Sequence, residues 1–396
     1  TLADCRVTQN EGGLGGGVLG YASLVAIDEC TITGNVGIVG GAVGLLESAA
    51  LVTNATITGN AAAGFPDRPF ESDRPELSAL ALPSGNALLA PNGIGLPPGT
   101  GGGIAAVADV APPPVPRSVV RPAGVPLQVV VSDSDVSGNT AAVIGGGVVF
   151  YGVPALVENT TISGNTALRA GGIAAGSAPL VVAQATISGN SATGDGKVPG
   201  GGNFVVFGAN ASAPLQIASS TITGNTAAVR NGGIELYGDV PLTMSSTIVA
   251  NSTGLDPADI VIENAPGAPV VTQSLVENPG DSGIGASGGN LIGVDPQLGP
   301  LADNGGPAPT HVPGAGSPVI DAGGNPTGAQ FDQRGAPFAR VVGAGPDIGS
   351  IERGNGASPS FVANVPATGT FGTLLLAAAM AAVAWIRRPR RARRTR

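Results

Sequence analysis

One phrase of six residues recurs along the chain and always ends in asparagine. It reads CTITGN to Asn35, ATITGN to Asn60, SDVSGN to Asn139, TTISGN to Asn165, ATISGN to Asn190, STITGN to Asn225 and STIVAN to Asn251. CRVTQN to Asn10 and QSLVEN to Asn278 are weaker copies, and the nine asparagines are spaced 25, 25, 79, 26, 25, 35, 26 and 27 residues apart. Such a period means one structural unit repeated, with two intervals stretched by insertions.

Three residues before each asparagine the side chain is aliphatic: Val7, Ile32, Ile57, Val136, Ile162, Ile187, Ile222, Ile248 and Leu275. Five before it the residue is small in eight of the nine copies, including Cys5 and Cys30, and eight before it aliphatics return in most, from Leu2 and Ile27 to Ile217 and Val270. Alternation of this kind puts two columns on one face of a strand and the intervening threonine on the other. Glycine pairs or triples follow most of the asparagines, as at Gly145-Gly146-Gly147. A unit of two or three short strands with glycine corners cannot bury an apolar face alone, but stacked on its neighbours it can. The expected fold is all-β: a parallel β-helix of nine or ten coils over residues 1–289, right-handed as parallel crossovers nearly always are. Like residues would then stack in ladders, Ile32, Ile57, Ile162, Ile187 and Ile222 on one another and the asparagines as a column of turn amides.

Composition agrees. Gly 65 and Pro 34 in 396 residues argue against helices, and only 3% aromatic residues suits a narrow interior. Cys5 and Cys30 share a column that elsewhere holds Ala, Ser and Thr, and they read as two small buried residues. Two cysteines exclude a cysteine-rich metal site, one histidine excludes a multi-His centre, and no cofactor is expected. Seven of the 18 basic residues lie in the last ten positions, so the rest of the chain is strongly acidic and unsuited to nucleic acid.

The insertions fall near 61–100 and 110–126, with a smaller excursion at 192–200; loops at coil corners leave the stack undisturbed. From Asn290 the repeat gives way to a segment whose landmarks are Gly299–His311 (GPLADNGGPAPTH), Pro313–Gly323, DQRG at 332–335 and DIGSIE at 347–352. These residues resemble the bacterial choice-of-anchor Q domain over roughly 245–352, departing from it at SIE where AFE is usual. The resemblance implies an exported cell-surface β-helix, and residues 290–352 are expected to cap its open end. His311 reads as structural, with no second histidine or nucleophile motif beside it.

Residues 353–368 form a linker ending in Val365, Pro366, Ala367, Thr368 and Gly369, followed by an uncharged stretch over 369–386 and the arginine tail 387–396. Eighteen residues meet the lower limit for a membrane helix, and the arginines would hold the tail in the cytoplasm. Motif, helix and basic tail together resemble sorting signals of the IPTL-CTERM and LPxTG types. That resemblance implies a sortase- or exosortase-like processing partner and a transient membrane anchor.

One constellation has the makings of catalysis. Asp133 and Asp135 stand two residues apart on the outward parity of one strand, about 6.5–7 Å between Cα atoms, and Glu158 lies one coil on. Glycosidases pair two carboxylates across a cleft roughly 5–9.5 Å wide. The expected function is nevertheless structural, adhesive or carbohydrate-contacting, with a polysaccharide or cell-envelope ligand. The alternative is a polysaccharide lyase or hydrolase with Asp133 and Asp135 as acid and base.

Overall fold

Each unit supplies four short strands rather than two or three, because the chain turns through a left-handed residue at all four corners. In one coil Leu24–Asp28, Thr31–Thr33, Val36–Val39 and Val43–Leu46 follow one another, and Ala49–Thr53 starts the next. Glu29 (φ 52°), Gly34 (65°), Gly40 (69°) and Glu47 (50°) make the bends. At the third corner glycine is needed on steric grounds: a Cβ on Gly146 would lie 2.5 Å from the carbonyl oxygen of Gly171 in the coil above.

The computed structural model describes residues 1–63, 99–108, 128–194, 203–208, 214–264 and 267–354, all within one compact unit. The stretch 369–386, the motif at 365–369 and the arginine tail lie outside the described residues, as do most of the two long excursions. Among the described residues every element is a strand, and no helix is long and apolar enough to cross a membrane.

Strands at equivalent positions stack into four parallel sheets of nine, ten, seven and eight strands, here called first to fourth in the order the chain visits them. That is the connectivity of a parallel β-helix. The 79-residue interval is one coil: Ile57 pairs directly with Val136 and Ala50 with Val129, so the insertions leave the register intact. The second sheet reaches a tenth strand at Leu291–Ile292.

Interior ladders fill the core. On the second sheet Val7, Ile32, Ile57, Val136, Ile162, Ile187 and Ile222 stack as expected, but the next members are Val249 and Val276. Ile248 and Leu275 sit one position earlier, in the outward column that Thr221 occupies below them. The first sheet shows the same one-residue slip, continuing from Ile217 through Met244 to Val271 and leaving Val270 exposed. The cause is that Asn251 and Asn278 are not members of the asparagine column. Thr226 bridges Thr253, which places Ser252 opposite Asn225.

The column itself runs through seven asparagines. Asn35 donates both its backbone N–H and its Nδ2 to Oδ1 of Asn60, at 3.0 and 2.9 Å, and its Nδ2 also reaches the carbonyl of Val7 at 2.9 Å. The same three bonds recur at Asn60, Asn139, Asn165 and Asn190, and the run closes at Asn225. The six column members Asn35, Asn60, Asn139, Asn165, Asn190 and Asn225 are buried, so these are structural amides whose donors are satisfied within the stack. In the small-residue column, Cys5 and Cys30 are joined by a disulfide across successive coils, which corrects their reading as two separate buried residues. Stacking in parallel brings their Cα atoms to 4.6 Å, within the range a disulfide spans.

The C-terminal segment does not cap the end of the helix. After Ile292 the chain turns back and lies along the outer face of the second sheet, over the coils from Thr161 to Leu275. Ile248 and Leu275 point outward because this segment covers them: they pack with Val319 and Ile348 in a second apolar cluster. Fully burying two such side chains is worth about 1.5–3 kcal/mol each. The segment has one antiparallel strand pair, Leu298–Ala302 with Thr310–Pro313. Elsewhere carboxylates hold its loops. Glu352 accepts the N–H groups of Val342 and Asp347, Asp347 those of Asp321 and Arg353, and Asp332 those of Arg334 and Glu352. The landmark acids of the DQRG and DIGSIE phrases are thus the clasps of a fold with little regular structure.

Candidate site at the corner of the first and second sheets

Asp133 and Asp135 do not share a strand. Ser132 ends a strand of the first sheet, Asp133 occupies the left-handed corner (φ 50°), and Asp135 opens the strand Asp135–Ser137 of the second sheet. The same corner is built by Asp4, Glu29, Asn54, Asn159 and Gln184 in other coils, all with φ between 46° and 52°. Short polar side chains tolerate this conformation best, which accounts for an aspartate there without chemistry. The single-strand geometry expected of a carboxylate pair is therefore absent.

Glu158 ends the strand Ala155–Glu158 one coil along, beside Ser132. Burial raises its carboxyl above the ordinary range, and the charge of Asp133 raises it further. Burial also raises Asp135, against a hydrogen bond from Ser137. Asp133 accepts Nδ2 of Asn159 at 3.2 Å, while Oδ1 of Asp135 is buried without a hydrogen-bond partner. Among the described residues from 1 to 158 there are eight carboxylates and a single basic side chain, Arg6.

The outward columns of the second sheet extend from this corner. They are hydroxyl-rich: Thr31 and Thr33, Thr56 and Thr58, Asp135 and Ser137, Thr161 and Ser163, Thr186 and Ser188, Thr221 and Thr223. The C-terminal module divides them. Thr161 donates to the carbonyl of Pro309 at 2.6 Å and accepts Nε2 of Gln333 at 2.8 Å. Thr186 donates to Oε1 of Gln333 at 2.6 Å, and Thr221 accepts the N–H of Ser350 at 3.0 Å. From Asp135 back to Arg6 the columns stay half-buried or exposed. Sequence reasoning placed the threonines on the outward face but had no signal for where the cover stops.

His311 belongs to this covered surface. Its Nδ1 lies 2.7 Å from the Gly299 carbonyl, which can only accept, so Nδ1 carries the proton and Nε2 accepts from the Ser188 hydroxyl at 2.8 Å. Burial lowers its pKa below the usual imidazole value, opposed by the Gly299 bond. The ring is a structural joint between module and helix.

All three tyrosines, Tyr21, Tyr151 and Tyr237, fall with Phe207 in one column of the fourth sheet. Phe207 stacks on Tyr237 at 5.5 Å, and Arg230, bonded to Glu235 at 2.9 Å, lies over the same tyrosine at 5.6 Å. Tyr237 is thus engaged by a stacked ring and a guanidinium within the protein. Among the described residues no group of three or more His, Cys, Asp or Glu side chains is placed to hold a metal ion.

No protein-family profile, curated protein or solved structure matches this chain.

Proposed function

We propose that the chain is an exported bacterial surface β-helix that contacts carbohydrate or cell-envelope polymer through the open hydroxyl face of its second sheet. The observation that carries this reading is the run of outward Thr31, Thr33, Thr56, Thr58 and Ser137, repeated at the coil spacing of ~4.8 Å and left bare by the module. A row of hydroxyl donors and acceptors, ending at the charged Arg6 and Asp135, suits a hydroxylated polymer lying along the axis. The Cys5–Cys30 disulfide supports export, since disulfides persist in oxidising compartments. The finer assignments belong to the same proposal: a right-handed coil, a choice-of-anchor Q-like module, a membrane helix over 369–386 and processing at Val365–Gly369 by a sortase- or exosortase-like enzyme.

The test is sedimentation with cell-envelope polysaccharide, using wild type and a T31V/T33V/T56V/T58V variant. Valine keeps the shape and removes the hydroxyls from a surface column, so folding should survive and affinity should fall at least tenfold. Equal binding by the two proteins rejects the hydroxyl face. The enzyme reading finds its favouring observation in the raised carboxyls of Asp135 and Glu158. It requires that wild type depolymerise the same polysaccharide and that D133N/D135N not.

A further inference from the structure

We propose that the C-terminal module is a pH-sensitive strap, whose distal end is held on the second sheet through His311 and lifts as that imidazole takes up a proton. The module grips the helix in two ways along its length. Near its origin the grip is Ile248 and Leu275 against Val319 and Ile348, with Ser246 and Gln273 bonded to the backbone of Gly324 and Gly323, and none of these side chains titrates. At the far end it is polar: Pro309 and Gln333 on Thr161, Gln333 and Ser350 on Thr186, Phe331 on Gln184, and His311 on Ser188. His311 is the titratable group within that distal set, and it is 9% exposed.

From the helix the group facing the ring is the Ser188 hydroxyl; from the module it is the Gly299 carbonyl. The charged residue bonded to the same strand is Arg353, whose Nη1 holds the Pro313 carbonyl at 3.1 Å and adds no negative charge. Protonation therefore buries a cation with no carboxylate among its bonded partners, and such a charge favours the state in which the ring meets water. With the docked pKa below the free value of 6.5, the imidazole's contribution to docking is fully present above pH 6.5. It weakens as pH falls from there towards the docked pKa, because the lifted state binds the additional proton. Lifting would bare Thr161, Thr186 and Ser188, extending the hydroxyl columns already open from Arg6 to Ser137.

Five carboxyls titrate with the opposite sign: Asp135, Glu158 and Asp259 in the helix and Asp347 and Glu352 in the module, all raised by burial. Burial pushes Glu352 in the module up to about 7 and Asp259 in the helix up to about 6. Their protonation between pH 7 and 5 favours the folded state, so the strap must be read locally and against a variant. In H311Q the amide can keep both bonds, donating to Gly299 and accepting from Ser188, but it cannot titrate. Hydrogen exchange of the 298–313 amides in full-length protein should match between wild type and H311Q at pH 7.5. Below pH 6.5 wild type should open more, by up to tenfold per pH unit. A wild-type to H311Q ratio that stays constant from pH 7.5 to 5 overturns the proposal. NMR gives a second reading on unmutated protein, because the chain has one histidine: an imidazole pKa at or above 6.5 overturns it as well.

Discussion

Replacing Ile187 with aspartate should unfold the coils on either side of it. Ile187 is fully buried and pairs with Ile162 and Ile222 in the inner ladder of the second sheet. A carboxylate there meets no cation and no donor, and the cost of burying it alone exceeds the total stability of most domains. Conservative Ile187→Val removes one methylene and should cost only about 0.5–1.5 kcal/mol. Thermal unfolding followed by circular dichroism separates the cases: Ile187→Asp should lose its strand signal or melt tens of degrees early, with Ile187→Val close to wild type. An aspartate variant melting like wild type would remove Ile187 from the interior.

The second large effect is expected at Asn165. Its Oδ1 accepts the N–H and Nδ2 of Asn139, and it gives its own N–H and Nδ2 to Asn190 and its Nδ2 to the Val136 carbonyl. Asn165→Ala strands two buried donors of Asn139 and takes a donor from Asn190 and Val136. At about 1–3 kcal/mol for each buried group left unpaired, the loss should total roughly 3–6 kcal/mol. Asn10 is exposed and donates to Asn35. Asn10→Ala should cost far less, and denaturant midpoints that are equal for the two variants would contradict a cooperative amide ladder.

These two effects rest on what was most legible in the sequence. The inner ladder and the asparagine column announce themselves because every coil meets the same dry interior, and only aliphatics or self-pairing amides satisfy it. The legibility ends where the environment changes. At STIVAN and QSLVEN the phrase continues in the letters, yet the inner residues are Val249 and Val276. Ile248 and Leu275 are aliphatic for a different reason, the cover of Val319 and Ile348. An aliphatic beneath a distant segment carries no period to reveal it.

The candidate site failed on a similar point. Parity counted from Asp133 to Asp135 assumes a continuous strand, and the left-handed turn at Asp133 breaks it. Nothing in an isolated Ser-Asp-Ser-Asp string marks that corner, although the alternation of Asp, Glu, Asn and Gln at the equivalent place in other coils does so once the coils are aligned. The disulfide was legible only as a shared column, since cysteine and alanine fill that column equally well. The position of the C-terminal module was not legible at all. It depends on Gln333, Ser350 and His311 meeting hydroxyls some 120 to 170 residues earlier in the chain.

That position is the claim on which the covered and open halves of the hydroxyl face, and the strap, both depend. Thr186 and Gln333 are in contact, Oγ1 to Oε1 at 2.6 Å, whereas a module set on the end of the helix would place residue 333 beyond Leu291, four coils further along the second sheet. At ~4.8 Å per coil that is about 19 Å away. With cysteines at 186 and 333, a short bis-maleimide and peptide mass spectrometry, a flanking module yields the 186–333 cross-link within single molecules. Absence of that cross-link, with efficient linking instead between 333 and a cysteine at 291, would contradict it.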